Sequence, residues 1–266
     1  MPELKDLNSL ADIRVEIDRI DASIHDLLMA RSEIIERLIA VKRTAETGSA
    51  FRPGREADVV RRLVERHRGR LPVEVVVAIW RQMISTFTYV QSPHSVHVVQ
   101  SPEIGLAGEF ARSHFGFGVP LVKHSNPASV IEALKLERGD LGFVMLGAAK
   151  TAWWDDLGGE GQPIVMATAP AMTRATDPRP PRAAVLADAS IDTAGLDMRV
   201  VAFTTERAPT ANVDALLAIA EVDGRHHVLA WGAREASDES IARDVMGGVA
   251  VEAVRTVGYT ARAVAT

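Results

Sequence analysis

At 266 residues the chain suits one large or two ordinary domains, and 47% hydrophobic with 24% charged residues is the balance of a globular protein that buries a core. A net charge of −5 argues against nucleic acid or an anionic membrane as the main partner, and the absence of cysteine excludes disulfides, zinc thiolates and a cysteine nucleophile. Residues 1–10 are polar and charged without an apolar targeting core, and no later run approaches a membrane span, so we expect a cytoplasmic protein.

Residues 8–45 read as one long amphipathic helix. Ile13, Ile17, Ile20, Ile24, Leu27, Ile34, Leu38 and Val41 recur at steps of three and four for about four heptads. Arg31 interrupts this stripe, and a guanidinium on a core-facing line is costly unless something negative meets it. Lys42, eleven residues on, returns to nearly the same face roughly 16 Å along the axis, a gap that two long side chains can close around a small dianion. A second helix is predicted over 53–67, with Pro53 at its start, Glu56 and Asp58 in the first turn and Arg66 near its end, as the helix dipole prefers. A third is predicted over 72–91. The first helix would extend roughly 55 Å, too long for a three-helix domain to cover, so we expect a twofold dimer in which two long helices run past each other.

The texture changes near Gln91-Ser92-Pro93, where helical periods give way to short apolar runs alternating with helices and glycine turns. Strands are expected at 96–100, 119–124, 141–146 and 164–168, with helices at 105–115 and 127–138, the latter capped by Ser125 or Asn126 with Pro127 in its first turn. This is a βαβαβ order. The proline-rich stretch 173–182 reads as a connection between lobes. Beyond it we expect strands near 183–186, 200–204 and 227–231, helices near 212–220 and 237–246, and a final apolar run over 249–264. The expected architecture is an all-α three-helix domain over 1–92 in an intertwined dimer, followed by α/β lobes at 95–172 and 183–266.

The residues that carry chemistry are Arg14, Arg31 and Lys42 on the first helix, Arg55-Glu56 opening the second and Gln91 closing the third. Taken singly, each would pass as a solvated side chain. Together with Ile17-Asp18-Arg19-Ile20-Asp21, Leu27-Leu28-Met29-Ala30-Arg31, Val41-Lys42, Phe51-Arg52-Pro53-Gly54-Arg55-Glu56-Ala57, Leu71-Pro72 and Ile84-Ser85, residues 7–91 resemble the all-helical chorismate mutases, including the mutase part of the bifunctional P-protein. The resemblance implies that Arg31 holds one substrate carboxylate and that Arg14 reaches from a second protomer to hold the other. Lys42 and Gln91 would donate to the ether oxygen of chorismate, Glu56 would accept from its hydroxyl and Arg55 would support the site. The helix geometry agrees, since Arg14 and Arg31 stand about 100° apart around one helix and are not placed to serve one pocket from one chain. The implied reaction, chorismate to prephenate, needs neither metal nor cofactor. Two positions depart from the family: Phe87 replaces a usual serine, and Arg52 an acidic residue found in many members.

The C-terminal part faintly resembles the prephenate dehydratase region of the P-protein through its order and Gly139-Asp140-Leu141-Gly142-Phe143-Val144-Met145-Leu146. Its glycine-rich opening is reduced to Ser101-Pro102-Glu103-Ile104-Gly105. The Thr-Arg-Phe signature is absent, with Arg199-Val200-Val201-Ala202-Phe203-Thr204-Thr205 the nearest remnant, so this part is expected to be non-catalytic. Gly158-Gly159-Glu160-Gly161 reads as a surface turn, Trp153-Trp154 as core, and His226-His227, on opposite faces of a strand, as no metal site. The competing readings are a bifunctional mutase and dehydratase, a metabolite-binding regulatory protein with an inactive mutase site, and a lyase acting on isochorismate.

Overall fold

The computed structural model describes residues 9–42, 50–100, 106–173, 181–210 and 212–265. The glycine-rich opening at 101–105 and most of the proline-rich stretch lie outside the described residues. By its internal contacts the chain divides into two compact units, residues 1–47 and 48–266.

Among the described residues the first unit is one helix, α1, Leu10–Lys42. Its start is fixed by a reciprocal cap, in which the Asp12 backbone N–H donates to Ser9 Oγ at 3.1 Å while Ser9 N–H donates to the Asp12 carboxylate at 3.1 Å. The apolar stripe read from the sequence lies on this helix, and among the described residues of its unit nothing else is present to cover Ile17, Leu27 or Val41.

The second unit begins with α2, Pro53–Arg66, and α3, Val73–Gln91. Pro53 occupies the first turn of α2, where its missing N–H costs nothing, and Glu56 sits at the positive end of the helix dipole. Buried Val60 and Leu63 fall on the same face as Glu56. The start of α2 lies hard against the loop at Ala194-Gly195: a Cβ on Gly54 would meet the Ala194 carbonyl oxygen at 1.9 Å, so only glycine permits this approach.

After α3 comes the βαβαβ run foreseen in the sequence: β1 Val96–Val99, α4 Ala107–Phe115, β2 Leu121–His124, α5 Pro127–Leu136 and β3 Leu141–Met145. Strands β2, β1 and β3 pair in parallel. Asn126 caps α5, its side-chain oxygen accepting from Ser129 N–H at 2.9 Å. The remaining elements are β4 Gly147–Ala149, β5 Ile164–Ala169, β6 Met172–Thr173, β7 Ala183–Ala187, β8 Met198–Thr205, β9 Leu216–Val222, β10 Arg225–Ala233, α6 Asp238–Met246, β11 Glu252–Thr260 and β12 Val264–Ala265. Ten strands form one mixed sheet in the order β2-β1-β3-β7-β5-β11-β8-β10-β9-β4.

The segments 95–172 and 183–266 therefore share a sheet and exchange strands. β7 enters antiparallel between β3 and β5, while β4 closes the far edge beside β9. β11 also touches β5, through Gly258 and Val165; a Cβ on Gly258 would lie 2.1 Å from the Val165 carbonyl oxygen. The fold class holds as an N-terminal helical region followed by a large α/β domain.

The helix expected near 212–220 is a correction. Only Val213–Ala215 make a helical turn, and Leu216–Val222 are strand β9. Leu, Ala and Ile in this stretch favour a helix locally, but they pair antiparallel with β10 through a tight turn at Asp223-Gly224, both with positive φ. An Asp-Gly pair between apolar runs is a strong hairpin signal and outweighs that propensity.

Candidate active site

The six residues singled out by the sequence fall on three helices. In the first unit α1 carries Arg14, exposed, Arg31, partly buried, and Lys42 as its last residue, with the Lys42 side chain outside the described ones. In the second unit Arg55 projects outward from the first turn of α2, and its neighbour Glu56 is buried. Gln91 closes α3 and donates from its amide to the Phe87 carbonyl at 3.0 Å. Phe87, in place of the family serine, is partly buried one turn earlier, and Ser85 and Thr88 are buried in the same helix.

Glu56 is engaged by a pair that the sequence did not announce. Its carboxylate lies 3.5 Å from an Nη of Arg81 on α3. The same Nη lies 2.8 Å from Nε2 of His114 on α4, and Arg81 Nε donates to the His114 carbonyl at 3.2 Å. A guanidinium can only donate, so His114 Nε2 accepts and the ring proton is assigned to Nδ1. Glu56 is 9% and His114 4% exposed. Burial pushes the Glu56 carboxyl up against the opposing pull of Arg81, and burial also lowers Arg81. The cluster borders a cavity of about 30 Å³ lined also by Thr168, Thr260 and Arg262.

Burial, with Arg81 adding repulsion, holds the His114 imidazole well below 6.5 and neutral. The unfolded chain takes up this proton first, so the folded state loses stability as pH falls below 6.5, at up to ~1.4 kcal/mol per pH unit until the folded-state value is passed. Glu56 has the opposite sign, since its raised carboxyl makes stability fall as pH rises through the window above 4.5. Denaturant unfolding between about pH 7 and about pH 5 is expected to show a steeper loss on acidification for the wild type than for His114→Gln, which keeps an acceptor but cannot titrate there. Equal slopes would contradict the neutral buried imidazole. The comparison isolates His114 from His124, which burial and His97 also lower.

In the α/β domain the remnant threonines are tied to the backbone. Thr204 Oγ1 donates to the Glu252 carbonyl at 3.4 Å and Thr205 Oγ1 to the Ala250 carbonyl at 3.2 Å, and Thr205 is 1% exposed. Two further histidine pairings went unread in the sequence. His97 joins Asp140 at 2.9 Å and His124 at 2.8 Å, and His227 pairs with Asp155, which also meets Arg255. Trp153 and Trp154 are buried core residues. Among the described residues no group of three or more His, Asp or Glu is placed to hold a metal, and no helix is long and apolar enough to cross a membrane.

Residues 13–92, the segment that carries the three helices, match the family described as Chorismate mutase type II. Curated relatives extend the likeness. A bifunctional chorismate mutase/prephenate dehydratase of Stutzerimonas stutzeri is 29% identical over 120 residues, covering 44% of this chain and 33% of that protein. Proteins of the same description from Neisseria gonorrhoeae and Aquifex aeolicus are 33% and 28% identical over 103 and 142 residues, covering 39% and 52% of this chain and 27% and 39% of theirs. The match thus spans about a third of the length of these relatives. Among solved structures, one titled as the X-ray structure of prephenate dehydratase from Streptococcus mutans aligns with a TM-score of 0.37 at 14% identity, over 62% of this chain and 97% of that one.

Proposed function

We propose that the protein is a dimeric chorismate mutase whose α/β domain is non-catalytic. The observation that carries this reading is the family match over 13–92 on the segment that supplies Arg14, Arg31, Lys42, Arg55 and Gln91. The reaction is an intramolecular rearrangement and needs no nucleophile, metal or cofactor; it needs a flexible dianion held in a chair-like conformer. Arg31 of one protomer and Arg14 of the other clamp the two carboxylates with directional forks, and Arg55 adds positive charge. Negative charge grows on the ether oxygen as its bond breaks, so donors waiting there, Lys42 and Gln91, stabilise the transition state more than the ground state. Glu56, next to Arg55 in the first turn of α2, accepts from the substrate hydroxyl, with Arg81 beside it.

The open stripe on α1 supports the homodimer, because an apolar face of this length is costly in water. The mutase domain, 1–92, then works as half of an intertwined pair in the cytoplasm, followed by α/β regions at 95–172 and 183–266.

The bifunctional mutase and dehydratase reading is favoured by one observation, the names of the curated relatives, whose 142-residue match is longer than the mutase segment. Against it stand Thr204 and Thr205, whose hydroxyls are spent on backbone carbonyls. Prephenate incubated with the protein at neutral pH is expected to give no phenylpyruvate beyond spontaneous decay. Enzyme-dependent phenylpyruvate that disappears in Thr204→Ala or Thr205→Ala would replace the proposed function by the bifunctional one.

A further inference from the structure

The geometry points to a proton-operated latch at one edge of the sheet, in which His97, His124 and Asp140 hold the end of β2 and the start of α5 in place while at least one of the two imidazoles is neutral. Strand β2 is an edge of the ten-stranded sheet, four residues long and paired with β1 from Val96↔Leu121 to Val99↔His124. An edge strand this short opens easily unless side chains tie it down. The tie crosses three strands. Ser95 N–H, just before β1, donates to one Asp140 oxygen at 2.8 Å, and the other Asp140 oxygen lies 2.9 Å from His97 Nε2. His97 Nδ1 in turn lies 2.8 Å from Nε2 of His124, the last residue of β2.

The hydrogens follow from what each group can do. An ionised carboxylate only accepts, so His97 Nε2 is assigned the proton in that bond; His97 Nδ1 then accepts and His124 Nε2 donates. One added proton is accommodated, because an imidazolium still donates to a neutral imidazole. A second is not: both facing nitrogens then carry hydrogen, the bond is lost and two cations are left in contact. His97 is 6% exposed, on the face of β1 shared by Val99 and covered by Val130, Ile131 and Leu134 of α5, so it has no room to turn away. His124 is only partly buried and is the ring that leaves. Its release reaches the backbone on both sides, since the His124 carbonyl accepts from Gln100 N–H at 2.9 Å and the capping Asn126 lies two residues on.

Among the described residues the other charged side chains of the surrounding elements are engaged or turned away. Lys123 alternates to the opposite face of β2, Glu132 and Lys135 of α5 meet each other at 2.6 Å, Glu137 is exposed and Arg138 reaches Asp188 at 3.9 Å. Burial, with His97 adding repulsion, lowers His124, so the closed latch is favoured at and above 6.5 and loses ground as pH falls below it.

The test is hydrogen exchange of the 266-residue protein, read by mass spectrometry and corrected for intrinsic rates, with residues 121–126 as reporter and 141–145 as internal reference. Going from about pH 7.5 to about pH 5.5 is expected to lower protection of the reporter about tenfold or more relative to the reference in the wild type. His124→Gln offers His97 either a donor or an acceptor and does not charge, so its ratio should stay within about twofold. His97→Gln also removes the second charge and gives the same decision if His124→Gln does not fold. Asp140→Asn removes the carboxylate that favours charge on the pair and should move the loss to lower pH. Equal losses in wild type and His124→Gln, or wild-type protection unchanged on acidification, would overturn the latch. So would reporter and reference losing protection in step, since that is unfolding of the domain rather than release of its edge.

Discussion

Replacing Lys42 by alanine is expected to lower chorismate turnover by about two to four orders of magnitude, or ~3–5 kcal/mol of transition-state stabilisation. The size of the effect follows from when Lys42 acts. Its ammonium would meet an ether oxygen that carries little charge in the ground state and much more as the C–O bond breaks, so the loss should fall on kcat with little change in KM. Lys42→Arg keeps the charge but replaces a compact donor by a planar fork, and should recover only part of the rate. Lys42 is the last residue of α1, eleven residues after Arg31. A fall of less than tenfold in kcat would remove Lys42 from the role of ether-oxygen donor.

Mixing two inactive variants, Arg14→Ala and Lys42→Ala, is expected to restore activity. If Arg14 serves the partner's site and Lys42 its own, a mixed dimer has one site with both lesions and one with neither. Random exchange makes about half of the dimers mixed, so about a quarter of the wild-type site activity should return. The basis is angular: seventeen residues separate Arg14 from Arg31 along one continuous helix, which leaves them about 100° apart. Exchange is verified by mass spectrometry of the mixed species. Verified exchange without recovered activity would mean that each site is built from a single chain.

The parts of the fold that were legible are those where local chemistry and long-range packing agree. Three helices were read from apolar periodicity and from Pro53, and their observed bounds differ by a residue or a few. The βαβαβ run was legible because Asn126 and Pro127 mark a helix start in the sequence, and Asn126 caps that helix in the structure. Ser237 does the same for α6, accepting from Ser240 N–H at 3.2 Å. Strand β9 was misread because Leu216 to Ala220 are good helix formers, and the information that decides them sits in the Asp223-Gly224 turn and in β10. The exchange of β7 and β4 between the two halves of the sheet was not readable, since no local signal records pairing between Gly142 and Leu186 or between Gly147 and Ala218.

The candidate site divides in the same way. Arg14, Arg31, Lys42, Arg55 and Gln91 could be named as candidates from the sequence because their spacing on helices is a sequence property. The surroundings of Glu56 could not, because the fold brings Arg81 and His114 to it from 25 and 58 residues away in the chain. The one available hint was polar residue types at positions that later proved buried, an arrangement that requires mutual satisfaction.

Chorismate loss and prephenate formation, followed with the purified 266-residue protein in the presence of a chelator, decide whether it is a chorismate mutase. Stoichiometric conversion to prephenate is expected, at a rate proportional to enzyme concentration and far above the uncatalysed background. A folded dimer that leaves chorismate turning over at the background rate would contradict it.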